Sequence, residues 1–168
     1  MRVLGVDPGL ATTGYAVIEW KPGSFAHFAI LEAGVITTPA GEELSTRLHT
    51  LYTELRALIG ELKPDIIAIE TLIFNQNRTT AIDVAQARGV ILLAAHELPV
   101  KIYTPLQVKH RITGYGRANK SQMQRMMQQR LKLKEIPKPD DAADALAIAW
   151  CYVLEARLNG ASTKSMAR

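Results

Sequence analysis

Residues 2–20 read "RVLGVDPGLATTGYAVIEW", and their pattern predicts a β-hairpin. "RVLGV" is a short apolar strand that ends at Asp7, "PGLATTG" has the composition of a turn, and "YAVIEW" is a second strand. The "KPGS" that follows predicts a tight connection to a third strand within "FAHFAILEAGVITT". The first forty residues therefore predict an antiparallel start to a sheet.

The hydrophobic period changes after this hairpin. From residue 44 to residue 62, leucine and isoleucine recur at three- and four-residue steps, which is typical of an amphipathic helix. "IIAIE" is then a buried strand that ends at Glu70, and it is followed by a helix over 79–97, a strand "VKIYT" and three more helices. Hairpins followed by strands that alternate with helices predict an α/β fold, a mixed five-stranded sheet flanked by helices.

Length and composition bound the class of protein. A chain of 168 residues predicts a single domain, placed at 1–158, and the small polar residues of 159–168 predict a disordered tail. The apolar stretches are too short to span a bilayer, and the N-terminus does not resemble a signal peptide, so we expect a cytoplasmic protein without a membrane partner. The single Cys151 lies in an apolar helix, which predicts an inert core thiol and argues against a cysteine-based catalytic or zinc site.

The basic residues are concentrated in one part of the chain. Between Lys101 and Lys138 there are ten Lys and Arg residues and one acid, Glu135, whereas the rest of the chain carries ten bases and fifteen acids. This separation suggests a polyanionic partner that meets one region of the surface. A solvated helix face is the alternative explanation.

Two acidic residues stand at predicted strand ends. Asp7 and Glu70 each follow a short apolar strand, and in open α/β sheets ligands bind beyond the carboxyl ends of the strands. Both residues also have local explanations, because Asp-Pro-Gly is good turn chemistry and a strand end is often solvated. Each residue is therefore a candidate ligand on this evidence.

Two further acids begin the last helix, in "PDDAADALAIAWCYVL" at 139–154. With Asp141 as the N-cap, Asp144 is three residues later, a spacing similar to a capping box. Capping explains Asp141 better than Asp144, because the reciprocal residue is normally the longer Glu or Gln. Together with the strand-end acids the pair could form a cluster of four carboxylates, which would need a hard divalent cation such as Mg²⁺. Two such ions about 4 Å apart would clamp the attacking and leaving oxygens of a phosphodiester.

Six stretches, in order over residues 2–155, together resemble the RuvC family of Holliday junction resolvases, the crossover junction endodeoxyribonucleases. They are "GVDPGLATTGYAV", "AIE", "QARGV", "QVK", "NKSQ" and "DAADALAIA". The resemblance implies a ribonuclease-H-like fold, a homodimer, and metal-dependent cleavage of a four-way DNA junction by paired symmetric nicks in recombination and repair. It also implies association with the nucleoid and a RuvA–RuvB branch-migration partner.

The resemblance assigns roles to individual residues. The catalytic and metal-binding acids correspond to Asp7, Glu70, Asp141 and Asp144, which would hold two Mg²⁺ or Mn²⁺ ions per subunit with Asp7 between them. Lys109 and Lys120 correspond to family lysines that contact DNA or assist at the site, and Lys120 is counted with the catalytic residues. Some relatives carry His at the position of Asp141. Asp140 lies outside the four acids and is interpreted as a helix-start or electrostatic residue.

The chain departs from the family after Glu70. The family often has an aromatic residue three positions later, which stacks near the junction centre, but here Ile73 occupies that position and Phe74 comes next. We expect Phe74, supported by Ile73, to act as an apolar wedge between bases. The alternative is that both residues only pack the loop.

The basic segment supplies the remaining predicted DNA contacts. Asn119 and Gln122 are placed to cap the helix that begins at Lys120, and the free amides of that helix end favour a phosphate. Such contacts would set affinity without reading sequence. The predicted DNA contacts are Ile73, Phe74, Arg78, Lys109, Arg111, Tyr115, Arg117 and Lys120.

The helix at 79–97 has two interpretations. Being apolar nearly all round, it is typical of a core helix, but its small residues Ala81, Ala85 and Gly89 also suit close packing against a two-fold mate. The resemblance favours the second interpretation.

Three other functions compete with junction cleavage. Nucleotide-binding proteins of the actin, sugar-kinase and chaperone type have a similar Asp-x-Gly turn, but they pair two lobes and are much longer. RuvC-like nucleases that process ribosomal RNA precursors fit "DAADALAIA" and the basic loop less well. A junction-binding module without catalysis is disfavoured by the presence of all four acids.

Overall fold

A computed structural model describes residues 1–22, 27–71 and 78–165, with the side chains of 78–80 and 160–165 outside the description. The helices and strands follow the predicted order. They are β1 (Arg2–Asp7), β2 (Thr12–Trp20), β3 (Phe28–Thr37), α1 (Leu44–Leu62), β4 (Ile66–Glu70), α2 (Arg78–Ala94), β5 (Val100–Tyr103), α3 (Pro105–Thr113), α4 (Lys120–Leu131) and α5 (Asp140–Ser165).

The five strands form one mixed sheet in the order β3-β2-β1-β4-β5. The pairs β1–β2 and β2–β3 are antiparallel, whereas β1–β4 and β4–β5 are parallel. The predicted α/β class with a mixed five-stranded sheet is therefore confirmed. Because Val6 pairs with Ile69 in parallel strands, the residues that follow them, Asp7 and Glu70, lie at the same edge of the sheet.

Helices cover both faces of the sheet, because successive strand residues point to opposite faces. Val3 and Ala68 belong to the core beneath α5, together with Ala145 and Ile148. The adjacent residues of the same strands face the other side, where they meet α1 and α2. That second core contains Leu4, Val6, Ile67, Ile69, Leu51, Leu55 and Ile91.

Glycines in the sheet allow α5 to lie unusually close to it. A Cβ atom on Gly5 would stand 2.2 Å from the carbonyl oxygen of Ala145, and one on Gly14 would stand 2.0 Å from that of Asp141. Only glycine leaves room for the helix backbone at these two points. The close approach fixes the first turns of α5 beside β1 and β2, and hence beside Asp7.

The start of α5 differs from the prediction. The helix begins at Asp140, and the amide of Ala142 donates to the carbonyl of Pro139 at 3.0 Å. Asp141 is therefore a residue of the first turn and not the N-cap, so the capping explanation that the sequence offered for it is wrong. The carboxylates of both first-turn acids still favour the positive end of the helix.

Smaller differences occur at other helix ends. Helix α2 ends at Ala94, short of the predicted end at 97. Helix α4, expected to extend from Lys120 to about Leu133, ends at Leu131 because Lys132 adopts the left-handed conformation. The backbone of α5 continues to Ser165, within the segment 159–168 predicted to be a disordered tail, which contains no proline that would end a helix. The single domain over 1–158 stays a prediction. Among the described helices, none has both the length and the hydropathy needed to cross a membrane.

Candidate active site

Three of the four predicted acids line one cleft. Asp7 and Glu70 end the adjacent parallel strands β1 and β4, and Asp144 lies on the second turn of α5, which packs over them. The cleft has a volume of about 300 Å³. Its other lining residues are Pro105, Val108, Lys109, Lys120, Met123, Ala147 and Ile148.

Burial and the charges of neighbouring acids raise the pKa values of the acids that line this cleft. Burial, followed by the charges of Glu70, Asp144 and Asp141, raises the pKa of Asp7 from 3.8 to about 7. Burial, followed by the charge of Asp144, raises the pKa of Glu70 from 4.5 to about 7, and Lys109 opposes this rise. Burial also raises the pKa of Asp144, against the effect of Lys120. Full ionisation of the cluster is therefore costly without a compensating cation.

Asp141 lies beside the cleft without lining it. Its backbone carbonyl rests against Gly14, the strand residue paired with Asp7, and its charge acts on Asp7. The register of β1 and β2 thus brings this acid next to the strand end. The structure therefore joins Asp7, Glu70 and Asp144 directly and places Asp141 at their margin.

The donor set fits a hard divalent cation. All four predicted ligands are carboxylates, which supply the oxygen ligands that Mg²⁺ prefers. The raised pKa values of Asp7, Glu70 and Asp144 show that their ionised forms are disfavoured, and a cation would compensate that charge. Within the described residues, no group of three or more His, Cys, Asp or Glu side chains is arranged to hold a metal ion as it stands. Coordination by this set therefore requires side-chain movement that brings mutually repelling carboxylates together.

Lys120 reaches the cleft from the first residue of α4. Asn119 and Gln122 form the predicted capping box, with each side chain accepting from the other residue's amide at 2.9 Å. The Lys120 ammonium lies 3.3 Å from the Oδ2 of Asp144 and 3.0 Å from the Oδ2 of Asp140. Its contact with Asp140 was not predicted, because the sequence does not show which element faces the start of α5.

Lys109 reaches the same cleft from α3. A capping box between Thr104 and Gln107 starts this helix, and Val108 and Ile112 fix it to the core. Lys109 lines the cleft beside Glu70, and its charge acts on that carboxyl group. Both lysines assigned by resemblance therefore meet the carboxylates.

The other predicted DNA contacts lie elsewhere. Tyr115 and Arg117 line a separate groove of about 760 Å³, together with Leu106, His110 and Leu158. Arg111 also lines it, but its guanidinium pairs with Glu155 at 3.3 Å, and Glu155 accepts from Tyr103 at 2.8 Å. Ile73 and Phe74 lie outside the described residues, and so does the side chain of Arg78.

Fold and site together define a class, the ribonuclease-H-like nucleases. The sheet order β3-β2-β1-β4-β5, with carboxylates at the ends of its central parallel strands and on the helix that covers them, is the arrangement of that class. The chain belongs to the crossover junction endodeoxyribonuclease RuvC family, whose model matches residues 3–152.

Known proteins similar to this chain carry the same description. A crossover junction endodeoxyribonuclease RuvC of Caldicellulosiruptor saccharolyticus is 53% identical over 156 residues, covering 92% of this chain and 93% of that protein. Its counterpart in Halothermothrix orenii is 53% identical over 161 residues, covering 95% and 96%. The structure of T. thermophilus RuvC in complex with a Holliday junction substrate superposes with a TM-score of 0.87 at 33% identity, covering 95% of this chain and 97% of that one. The nucleotide-binding alternative is not favoured by these findings.

Proposed function

We infer that this chain is a structure-specific endodeoxyribonuclease that resolves four-way DNA junctions, by paired symmetric nicks, in recombination and repair. The observation that carries the inference is the carboxylate cleft of a RuvC-family chain, in which Asp7, Glu70 and Asp144 meet Lys109 and Lys120. Acids and lysines in one cleft suit a reaction in which negative charge increases on a phosphate.

We propose that Asp7, Glu70, Asp141 and Asp144 hold divalent cations, two Mg²⁺ per subunit, with Mn²⁺ as a substitute. Nucleases of this family depend on metal. Bound cations would supply Lewis acidity and a nucleophilic hydroxide at neutral pH. Asp7 is the best candidate for a shared ligand, because the charges of all three other acids act on it.

The lysines have a complementary role at the scissile phosphate. Lys120 stands at the open side of the cleft, half exposed, and Lys109 stands beside Glu70. Their ammonium groups would neutralise the charge that increases on the non-bridging oxygens as the phosphodiester is cleaved. The capping boxes at Thr104 and Asn119 fix the helices that carry them.

The DNA surface that we propose extends from the cleft along the basic segment. Arg117 and Tyr115 border the neighbouring groove, and Arg78 is proposed as a further contact. Ile73 and Phe74 remain the proposed wedge. The pairing of Arg111 with Glu155 supports a role in positioning α3, so a direct phosphate contact by Arg111 would have to compete with that pair.

Two symmetric nicks need two active sites, and we propose that α2 supplies the homodimer contact. Ile82 and Leu93 are 59% and 62% exposed. Ala85 and Gly89 are exposed on the same helix, and a Cβ on Gly89 would contact nothing within 4 Å. Ala81 is only half-buried. This exposed face of small and apolar residues suits an isologous contact with a second copy.

The proposed setting is the nucleoid, where a RuvA–RuvB complex would present the junction. This part rests on family membership alone.

Cleavage of a synthetic four-way junction in Mg²⁺ or Mn²⁺ tests the function. We expect paired symmetric nicks by the unaltered chain, whereas Asp7→Asn should bind the junction without cutting it. Glu54→Gln, the same loss of a carboxylate charge at an exposed position of α1, is the matched control and should cut normally. If Asp7→Asn cuts at the normal rate, the carboxylate cleft is not the catalytic site. Turnover of ATP without junction cleavage would instead favour the nucleotide-binding alternative.

A further inference from the structure

Asp140 makes two side-chain contacts that the proposed reaction has not used. Its Oδ2 lies 3.0 Å from the Lys120 ammonium, and its Oδ1 accepts from the Gln124 side-chain amide at 3.4 Å. The residue is 62% exposed, on the first turn of α5. Both oxygens of this carboxylate are therefore directed at α4.

The two partners lie on one face of α4, because they are four residues apart. Asp140 thus links the start of α5, the helix that carries Asp141 and Asp144, to the first turns of α4, which carry Lys120. The ammonium also lies 3.3 Å from Asp144, so it is held between an acid inside the cleft and one outside it. Of the two carboxylates that contact Lys120, Asp144 lines the cleft and Asp140 does not.

We propose that Asp140 is a positioning residue for Lys120 in strand cleavage, holding the ammonium at the mouth of the cleft when Asp144 is engaged by a cation. The inference rests on the proposed function, since it concerns the lysine at that site. A divalent ion bound to Asp144 would repel the Lys120 ammonium and offset the charge of the carboxylate, so it would weaken that ion pair. Asp140, which does not line the cleft, remains available to Lys120 throughout.

Without Asp140, the Lys120 side chain would have no carboxylate among the described residues to hold it once Asp144 binds a cation. A lysine side chain has many rotamers, and an ammonium released from Asp144 would disperse among them in solvent. Asp140 limits that dispersion, and Gln124 fixes the orientation of Asp140. The ion pair is exposed and hence weak, so it can hold the ammonium near the phosphate without sequestering it.

A double-mutant cycle tests the proposal in single-turnover cleavage of a four-way junction at saturating Mg²⁺. Asp140→Ala should slow cleavage about two- to fivefold, the range for an exposed ion pair. The same substitution in a Lys120→Ala background should have no further effect. Asp140→Asn keeps one oxygen acceptor and should restore most of the rate. Junction affinity in Ca²⁺ should be unchanged, because the effect concerns the cleavage step.

Glu135→Ala is the matched control, since it removes an exposed negative charge from the loop before α5. It should cut at the normal rate, and equal melting temperatures would establish that all variants fold. If Asp140→Ala slows the Lys120→Ala enzyme as much as the unaltered one, or if it accelerates cleavage, the proposal is overturned.

A second measurement needs neither metal nor DNA. Acylation of lysines with an amine-reactive ester, followed by peptide mass spectrometry, should label Lys120 about two- to fivefold faster when Asp140→Ala is added to an Asp144→Asn background, because Asp144→Asn has already removed the other charged partner of the ammonium. Lys132, exposed just beyond the same helix, is the internal reference. Unchanged labelling of Lys120 would overturn the positioning role even if the unaltered chain cuts junctions. Changed labelling, with no junction cleavage by the unaltered chain, would instead overturn the proposed function alone.

Discussion

The carboxylate cleft should make the metal-free protein less stable as the pH rises. Burial and the neighbouring acids raise the pKa of Asp7 to about 7 in the folded protein, from 3.8. Between these values the folded chain retains a proton that the unfolded chain has lost, so the free energy of unfolding falls with rising pH. Below this window Asp7 is protonated in both states and has no such effect.

Asp7→Asn should therefore stabilise the metal-free protein at high pH. Each pKa unit corresponds to about 1.4 kcal/mol, so the stability of Asp7→Asn relative to the unaltered chain should rise by about 2–3 kcal/mol between pH 5 and pH 8. Taking the difference between the two pH values removes any constant cost of burying an amide. Glu70, whose pKa is also about 7, retains its own pH dependence in both proteins.

Urea unfolding in the presence of a chelator measures this difference, followed by the fluorescence of Trp20 and Trp150. Glu54→Gln is the control and should differ from the unaltered chain by the same small amount at both pH values. Equal effects of Asp7→Asn at both values would refute the account of the cleft as a cluster of buried, mutually repelling acids. Added Mg²⁺ should reverse the instability at pH 8 in the unaltered chain more than in Asp7→Asn, because a cation binds the ionised folded form.

Three other substitutions test separate parts of the structure. Gly14→Ala should lower the free energy of unfolding by about 1–3 kcal/mol and abolish cleavage, because the added Cβ would overlap the backbone of α5. Gly60→Ala, where the added Cβ on α1 meets nothing within 4 Å, is the control and should raise the free energy of unfolding by about 0.4–1 kcal/mol. Thermal or urea unfolding measures both. Leu93→Asp should convert the proposed dimer to monomer in analytical ultracentrifugation and reduce paired nicks to single ones; an unchanged sedimentation coefficient would exclude α2 as the contact. Arg117→Ala should lower the salt-dependence slope of junction binding by about 1, and Lys21→Ala, beyond the opposite strand end, should leave it unchanged.

The sequence predicted most of the fold because its signals were local. The leucine period over 44–62 and the apolar run "IIAIE" gave the observed bounds of α1 and β4. The rule that ligands bind beyond strand ends made Asp7 and Glu70 candidate ligands, but the parallel pairing that places them at one edge is a result of the structure. The beginning of α5 was misjudged because three aspartates in five residues offer several capping positions, and backbone hydrogen bonds alone decide between them.

Features that depend on contacts between distant elements could not be predicted in the same way. Lys120 and Asp140 meet because the first residue of α4 lies beside the first residue of α5, and neither residue signals this contact in the sequence. The separation of Tyr115 and Arg117 from the acids likewise depends on how the loop after α3 folds over Leu106. Family resemblance identified Lys109 and Lys120, whereas periodicity and spacing would have left them among the ten bases of the segment.

The acids of the cleft repel one another, and the close packing of α5 on the sheet keeps them together despite this repulsion. Ionised carboxylates would move apart if their supports could yield, but Gly5 and Gly14 let α5 rest backbone-to-backbone on β1 and β2. Close packing of this kind resists small displacements, because any shift brings atoms into overlap. Burial, followed by the repulsion that this close packing preserves, therefore raises the pKa of Asp7 and of Glu70 in the metal-free protein, and a bound cation would offset both effects. If the packing of α5 yielded, the acids would move apart, the repulsive part of these pKa shifts would decrease, and metal binding would have less repulsion to relieve.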